Sequence, residues 1–271
     1  MRLDRSVVLV TGASGGIGRA LARGLAERGA HVIVHGRDAD RLAHVARLTG
    51  GTPLAADLAD PDDVEGLAEQ ALAVRGRIDV LVANAGIGWS GGFDTMTGAE
   101  LRRVIDVDLV AQLQLTRLLL PSMLRRRCGH VCFVSSVAGR TGVAGEAVYA
   151  AAKAGVDAFA ESLRAEAAGT GIGVSTVVPG AVRTEFFATR GRAYDRRTPK
   201  PVQPEAVAAQ AIRAIEDDHA EVWVPSWLRL AATTRTVLPG TFRRLSQRFG
   251  EPVRLSTADD GTHDPAEVPP A

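Results

Sequence analysis

Residues 6–18 read Ser6-Val7-Val8-Leu9-Val10-Thr11-Gly12-Ala13-Ser14-Gly15-Gly16-Ile17-Gly18. The first part is a short apolar run of strand length. The last part opens a segment with helical spacing at Ile17, Leu21 and Leu25, which extends over residues 16–28. Between them lies a glycine-rich turn. A strand, a tight turn and a helix in succession place free backbone N–H groups and the positive helix end together, where a dinucleotide pyrophosphate binds. The glycine spacing is G-x-x-x-G-x-G, which meets the general G-x-G-x-x-G fingerprint only loosely. A glycine-rich turn alone decides little, because any tight strand-to-helix connection needs glycine.

The rest of the chain repeats the rhythm. Strands are expected at 31–36, 52–58, 78–83, 131–135, 173–178 and 221–224. Helices are expected at 38–48, at 61–75 with Asp60 as N-cap, at 98–126, around Tyr149 at 146–168, and at 204–217. With the first strand at 6–11, this gives an α/β fold: a doubly wound parallel sheet of about seven strands within residues 1–225. Nothing repeats beyond this alternation.

The end of the second strand bears on the coenzyme. NAD sites place Asp or Glu there for the ribose hydroxyls. This chain has Gly36-Arg37, which leaves room and a guanidinium for a 2′-phosphate, and Ser14 adds a hydroxyl on the same side. NADP(H) is therefore favoured over NAD(H). The alternative is an ordinary strand-end arginine in an arginine-rich chain.

Chemistry points to Tyr149-Ala150-Ala151-Ala152-Lys153, with Ser135-Ser136 shortly before it. On a helix, Tyr149 and Lys153 lie one turn apart on one face. The chain has only two Tyr and two Lys, so the pairing is notable. A phenol titrates near 10, and a neighbouring ammonium lowers that value. Ser136 could hold the oxygen of a carbonyl or alcohol while Tyr149 passes it a proton.

Composition excludes other classes. A length of 271 residues suits one large α/β domain, and a net charge of +1 gives no electrostatic case for nucleic acid. The N-terminal apolar stretch is too short for a signal sequence, and no apolar run reaches the roughly 20 residues of a membrane span. Cys128 and Cys132 flank Gly129-His130-Val131, which falls short of a closed metal site. No metal is expected, and a reducing, cytoplasmic setting is.

Taken together, the chain resembles the single-domain short-chain dehydrogenases/reductases over residues 5–225. The resemblance rests on Thr11-Gly12 through Gly16 and Gly18, Asp57, Asn84-Ala85-Gly86, Ser136, Tyr149 with Lys153, and Pro179-Gly180, in that order. It implies a Rossmann-type fold and assigns roles. Gly12, Ser14, Gly16, Ile17 and Gly18, with Arg37, would hold the coenzyme phosphates. Asp57 would hydrogen-bond the adenine, with Leu58 in the same binding set, and Asn84-Ala85-Gly86 would support the sheet beside it. Pro179, Gly180, Val182 and Thr184 would wrap the nicotinamide. Tyr149 would be the general acid/base and Ser136 would position the substrate oxygen. Lys153 would bind the ribose and lower the tyrosine pKa. The family commonly has Asn before the fifth strand, completing a Ser–Tyr–Lys–Asn set. Here the run is Val107-Asp108-Leu109, so Asp108 is taken as the fourth catalytic position, with an altered pH profile expected. Relatives are commonly homodimers or homotetramers packed through the helices at 98–126 and 146–168.

Residues 184–203 form the expected substrate lid, apolar at Phe186-Phe187 and then basic at Arg190, Arg192, Arg196, Arg197 and Lys200 against Asp195. It reads either as a basic rim for an acidic or carrier-linked substrate or, preferably, as a solvated loop. Trp89 and Phe93 are expected on the opposite wall. Residues 226–250 are expected to form a basic amphipathic extension, and residues 251–271 a disordered tail. The extension could lie on an anionic membrane, cover a subunit surface or cap the cleft. Packing on the protein is favoured, because Pro239-Gly240 interrupts any long helix. The leading function is an NADP(H)-dependent oxidoreductase acting on a small carbonyl or alcohol. The alternatives are a non-catalytic NADP sensor and a membrane-surface interaction protein.

Overall fold

The computed structural model describes residues 1–192, 194 and 200–249. Seven parallel strands form one sheet in the order β3-β2-β1-β4-β5-β6-β7. They are β1 (Val7–Val10), β2 (His31–Gly36), β3 (Thr52–Ala55), β4 (Val80–Ala83), β5 (Gly129–Val134), β6 (Ile172–Pro179) and β7 (Glu221–Val224). The central strands are continuous apolar runs because both faces are covered. Alternation sends Val8 and Val10 to one core, with Leu21, Leu25 and Ile212, and Val7 and Leu9 to the other, with Leu67, Leu115 and Val156.

Helices α1 (Gly16–Ala26), α2 (Ala39–Thr49) and α9 (Pro204–Asp217) cover the first face. Helices α3 (Pro61–Arg75), α5 (Ala111–Arg126) and α7 (Ala147–Glu166) cover the second. Local chemistry sets their ends. Asp38 accepts the Arg41 N–H at 3.0 Å to start α2. Asp60 accepts the Asp62 N–H at 2.9 Å, with Pro61 as the first residue of α3. Thr97 and Glu100 form a reciprocal capping box at the start of α4 (Gly98–Ile105).

Two expectations need correction. The third strand ends at Ala55, so Asp57 and Leu58 lie in the following turn. The helix expected over 98–126 is broken: α4 passes through a π-helical turn, Asp106–Val110, before α5 begins. That wider turn carries Asp108 into the interior.

Strand order reverses between β1 and β4, and the crevice above their C-terminal ends is where this topology binds ligands. The short helices α6 (Val137–Thr141) and α8 (Phe186–Thr189) flank it. The chain ends its described part in a helix pair, α10 (Leu228–Val237) and α11 (Pro239–Phe249), broken at Leu238 with Pro239 opening the second helix. Helix α10 packs on α6 and β7, and α11 packs on α10. No helix among the described residues is long and apolar enough to cross a membrane. The tail expected at 251–271, and Asp195, Arg196 and Arg197 of the lid, lie outside the described residues.

Candidate active site

One cleft of about 890 Å³ runs along the C-terminal ends of the strands, from the glycine turn to the α10–α11 pair. Its first wall is the turn after β1. Gly12 has φ +65, a conformation that disfavours side chains, and a Cβ there would stand 2.9 Å from the Ala85 Cα. A Cβ on Gly18 would lie 2.1 Å from the Gly12 carbonyl oxygen, so α1 approaches the turn because Gly18 has no side chain, while Gly12 lets the turn approach the segment after β4. Asn84 ties the turn to β4. Its side-chain amide donates to the Thr11 carbonyl at 2.8 Å, and its backbone N–H donates to the Thr11 hydroxyl at 3.0 Å. No side chain caps α1 at Gly15, which leaves backbone donors at its N-terminus facing the cleft.

All the residues expected to bind coenzyme line this one cleft: Gly12, Ser14, Gly16, Ile17, Gly18, Arg37, Asp57, Leu58, Asn84, Ala85, Gly86, Tyr149, Lys153, Pro179, Gly180, Val182 and Thr184. A Cβ on Gly36 would meet the Ser14 hydroxyl at 3.1 Å, so Gly36 keeps open the space beside Arg37. Asp57 is already engaged: its carboxylate accepts the Ala59 N–H at 3.1 Å and an Arg103 N–H at 2.9 Å. Burial works upward on this carboxyl, but these two contacts and Arg37 outweigh it and hold its pKa below the usual range.

Ser136, Tyr149 and Lys153 meet at the cleft floor. Ser136 sits at the end of β5 and caps α6, accepting the Ala138 N–H at 3.1 Å. The Lys153 ammonium donates to the Val134 carbonyl at 3.3 Å and lies 5.7 Å from the centre of the Tyr149 ring. Behind it stands Asp108, fully buried and outside the cleft lining. Asp108 Oδ1 accepts the Ile87 N–H at 2.7 Å, and Oδ2 lies 3.4 Å from Lys153 Nζ. No aligned hydrogen bond reaches Oδ2, so the contact with Lys153 is mainly Coulombic. Gly86 leaves room for the pair, since a Cβ there would come within 2.9 Å of Oδ2.

The electrostatics reverse one expectation. Burial raises the Asp108 pKa to about 6, against the pull of Lys153. The Tyr149 phenol is likewise pushed above its ordinary range, first by burial and then by Asp108; the Ser136 hydrogen bond opposes this. The net direction is the opposite of the lowering expected from Lys153, chiefly because burial disfavours the phenolate and secondly because the Asp108 carboxylate adds to it.

The lid also departs from expectation. Arg190 is no solvated loop residue: its side chain is 3% exposed, pairs with Glu146 just before α7, and lies 4.6 Å from the Phe187 ring centre. Phe186 packs against Tyr149 with ring centres 5.4 Å apart. Trp89 and Phe93 do not line the cleft; Phe93 is exposed, and Trp89 folds back over Gly91. Sequence reasoning missed Glu146, His35 and Arg41 in the lining. Spacing gave no signal for Glu146, because its partner lies 44 positions away.

The sequence matches the short chain dehydrogenase family model over residues 6–195. The chain belongs to the short-chain dehydrogenase/reductase family. Among curated members it is similar to a protein named ketoacyl reductase HetN from Nostoc sp., with 34% identity over 264 residues, covering 92% of this chain and 90% of that one. It is also similar to 3-oxoacyl-[acyl-carrier-protein] reductase FabG of Salmonella typhimurium, with 37% identity over 199 residues, covering 73% and 81%. A solved short-chain dehydrogenase from Sphingobium yanoikuyae in complex with NADPH superposes with a TM-score of 0.76 at 29% identity, covering 94% of this chain and 99% of that one. A metagenomic short-chain oxidoreductase in complex with NADP gives 0.70 at 34% identity, covering 82% and 97%. Membership makes the chain an oxidoreductase of the short-chain type, with a Rossmann-like seven-stranded sheet.

Proposed function

We propose that this short-chain dehydrogenase/reductase interconverts a secondary alcohol and a ketone or aldehyde with NADP(H), using Tyr149 as general acid/base. The observation that carries the reading is the meeting of Ser136, Tyr149 and Lys153 on the floor of a cleft continuous with the glycine turn.

The donor set fits a nicotinamide dinucleotide. The turn from Gly12 to Gly18 and the uncapped start of α1 would take the pyrophosphate. Arg37 with Ser14 would take a 2′-phosphate, and Asp57 and Leu58 would border the adenine. Lys153 would hold the ribose, and Pro179, Gly180, Val182 and Thr184 would enclose the nicotinamide. The NADPH- and NADP-bound neighbours support the same choice of coenzyme. When bound, the nicotinamide supplies or accepts the hydride. In reduction, Ser136 orients the carbonyl oxygen and Tyr149 gives it a proton; in oxidation, the phenolate removes the proton from the alcohol. Asp108 holds Lys153 from behind and shares its charge.

The helix surface at 98–126, with that of α7, is the proposed subunit contact for a homodimer or homotetramer. Exposed Leu101 on α4, Val110 on the π-helical turn and Leu124 on α5 support that placement.

The test is oxidation of NADPH with a panel of ketones and aldehydes, beside Tyr149→Phe. Loss of about 10²-fold or more in kcat with NADPH binding retained fits the assignment; undiminished turnover removes it. NADPH binding with no turnover of any carbonyl would favour the sensor reading instead.

A further inference from the structure

The cleft continues past Tyr149 between two apolar walls. One is the lid, with Phe186 and Phe187; the other is the C-terminal helix pair, with Trp227, Leu228, Phe242 and Leu245. Rings lead outward from the phenol, Tyr149 to Phe186 at 5.4 Å and Phe186 to Phe187 at 5.8 Å between centres. Trp227 and Leu245 line the cavity yet are 51% and 48% exposed. A concave apolar surface left in water beside a reacting centre is built to be covered by a ligand.

Charge narrows the class of ligand. Among the described residues lining this end, Arg190 is paired with Glu146 and stacked on Phe187. Lys153 faces Asp108 at 3.4 Å. An anionic group drawn to Arg190 or Lys153 would compete with a carboxylate already in place, and burying its charge without a partner is costly. Arg243 and Arg244 of α11 are exposed, whereas Phe242 and Leu245 of the same helix line the cleft.

We infer that α10 and α11 complete a substrate subsite for the large hydrocarbon or aryl substituent of a neutral ketone or its alcohol, with Trp227, Phe242 and Leu245 as the selecting side chains. This rests on the oxidoreductase reading of the same cleft.

The experiment compares kcat/KM for methyl ketones of increasing chain length with ketones of equal length ending in a carboxylate, using the full chain and NADPH. The expected gain is about fourfold for each methylene that becomes buried, until the subsite is filled, and the terminal carboxylate cancels it. Phe242→Ala and Leu245→Ala lower the ratio of kcat/KM between the longest and shortest ketones by about tenfold or more. Leu230→Ala, on an exposed position that does not line the cleft, leaves that ratio in place. The part of the tryptophan-fluorescence quenching by the long ketone that Trp227→Phe removes reports binding at Trp227 independently of turnover, since Trp89 and Trp223 also emit. Quenching that weakens in Leu245→Ala, without turnover of any ketone, upholds the subsite while removing the oxidoreductase reading. A flat response to chain length, equal gains for the carboxylate series, or neither quenching nor turnover overturns the subsite.

Discussion

Lys153 Nζ lies 3.4 Å from Asp108 Oδ2, with both side chains almost wholly removed from solvent. The carboxylate occupies the place where the family commonly has an amide, so this pair is charge-balanced where an amide would leave the lysine unneutralised. Its negative charge reaches the Tyr149 phenol and favours the protonated form.

Asp108→Asn therefore lowers the pKa of the phenol. Reduction needs the phenol and oxidation the phenolate, so the alkaline limb of reduction and the acidic limb of oxidation both move to lower pH, by about one unit. The two enzymes converge below about pH 6, where Asp108 itself takes a proton. Activity profiles in both directions, with phenolate absorbance read against Tyr149→Phe, check this. Superimposable profiles would show that the charge of Asp108 does not act on the phenol.

Arg37→Gln tests the coenzyme assignment. Loss of a charge-assisted contact to a 2′-phosphate weakens NADPH binding by about 10- to 100-fold and leaves NADH binding in place. Fluorescence titration with both coenzymes measures it. Equal effects on the two would make Arg37 an ordinary strand-end residue.

Glu146 and Arg190 form a buried pair, with 12% and 3% side-chain exposure, that fastens the lid beside Tyr149. Glu146→Gln leaves the guanidinium without its carboxylate, at a cost of about 3 kcal/mol or more if the lid stays shut. The lid is expected to open instead, with faster proteolytic cleavage in the segment after Thr184 and a higher KM. Adding Arg190→Met to Glu146→Gln recovers part of the protection. Cleavage rates indistinguishable among all three proteins would show that the pair does not hold the lid.

His35 and His130 are buried, and desolvation lowers both pKa values to about 4. A depressed histidine contributes stability that is fully present above its unfolded value of 6.5 and is lost as pH falls toward 4. Each contribution is on the order of 3 kcal/mol. Denaturant unfolding between pH 7 and pH 4 should show this slope, and His130→Gln should flatten it. An unchanged slope would place the acid sensitivity elsewhere.

The local parts of the site were legible in sequence because their chemistry is local. The glycine turn joins consecutive elements, Tyr149 and Lys153 share one helical face, and Asp60-Pro61 marks a helix start within two residues. What could not be read depends on a change in helical pitch or on distant partners. The π-helical turn at Asp106–Val110 lies inside a stretch that reads as one continuous helix. Arg190 sits in a basic run that suggests solvent, and only the fold brings Glu146 to it. Phe242 and Leu245 form an amphipathic stripe that fits several partners equally well; their place in the cleft follows from how α10 packs on α6.

The Thr184 methyl group lies 3.0 Å from where a Cβ on Gly16 would stand, so the lid is rooted on the glycine turn itself. On the oxidoreductase reading, the dinucleotide seats beneath that root, while the carbonyl compound enters farther out. The kinetic scheme is then of compulsory order. The coenzyme is first on and last off, so NADP⁺ competes with NADPH, while the alcohol product inhibits noncompetitively against both NADPH and the ketone.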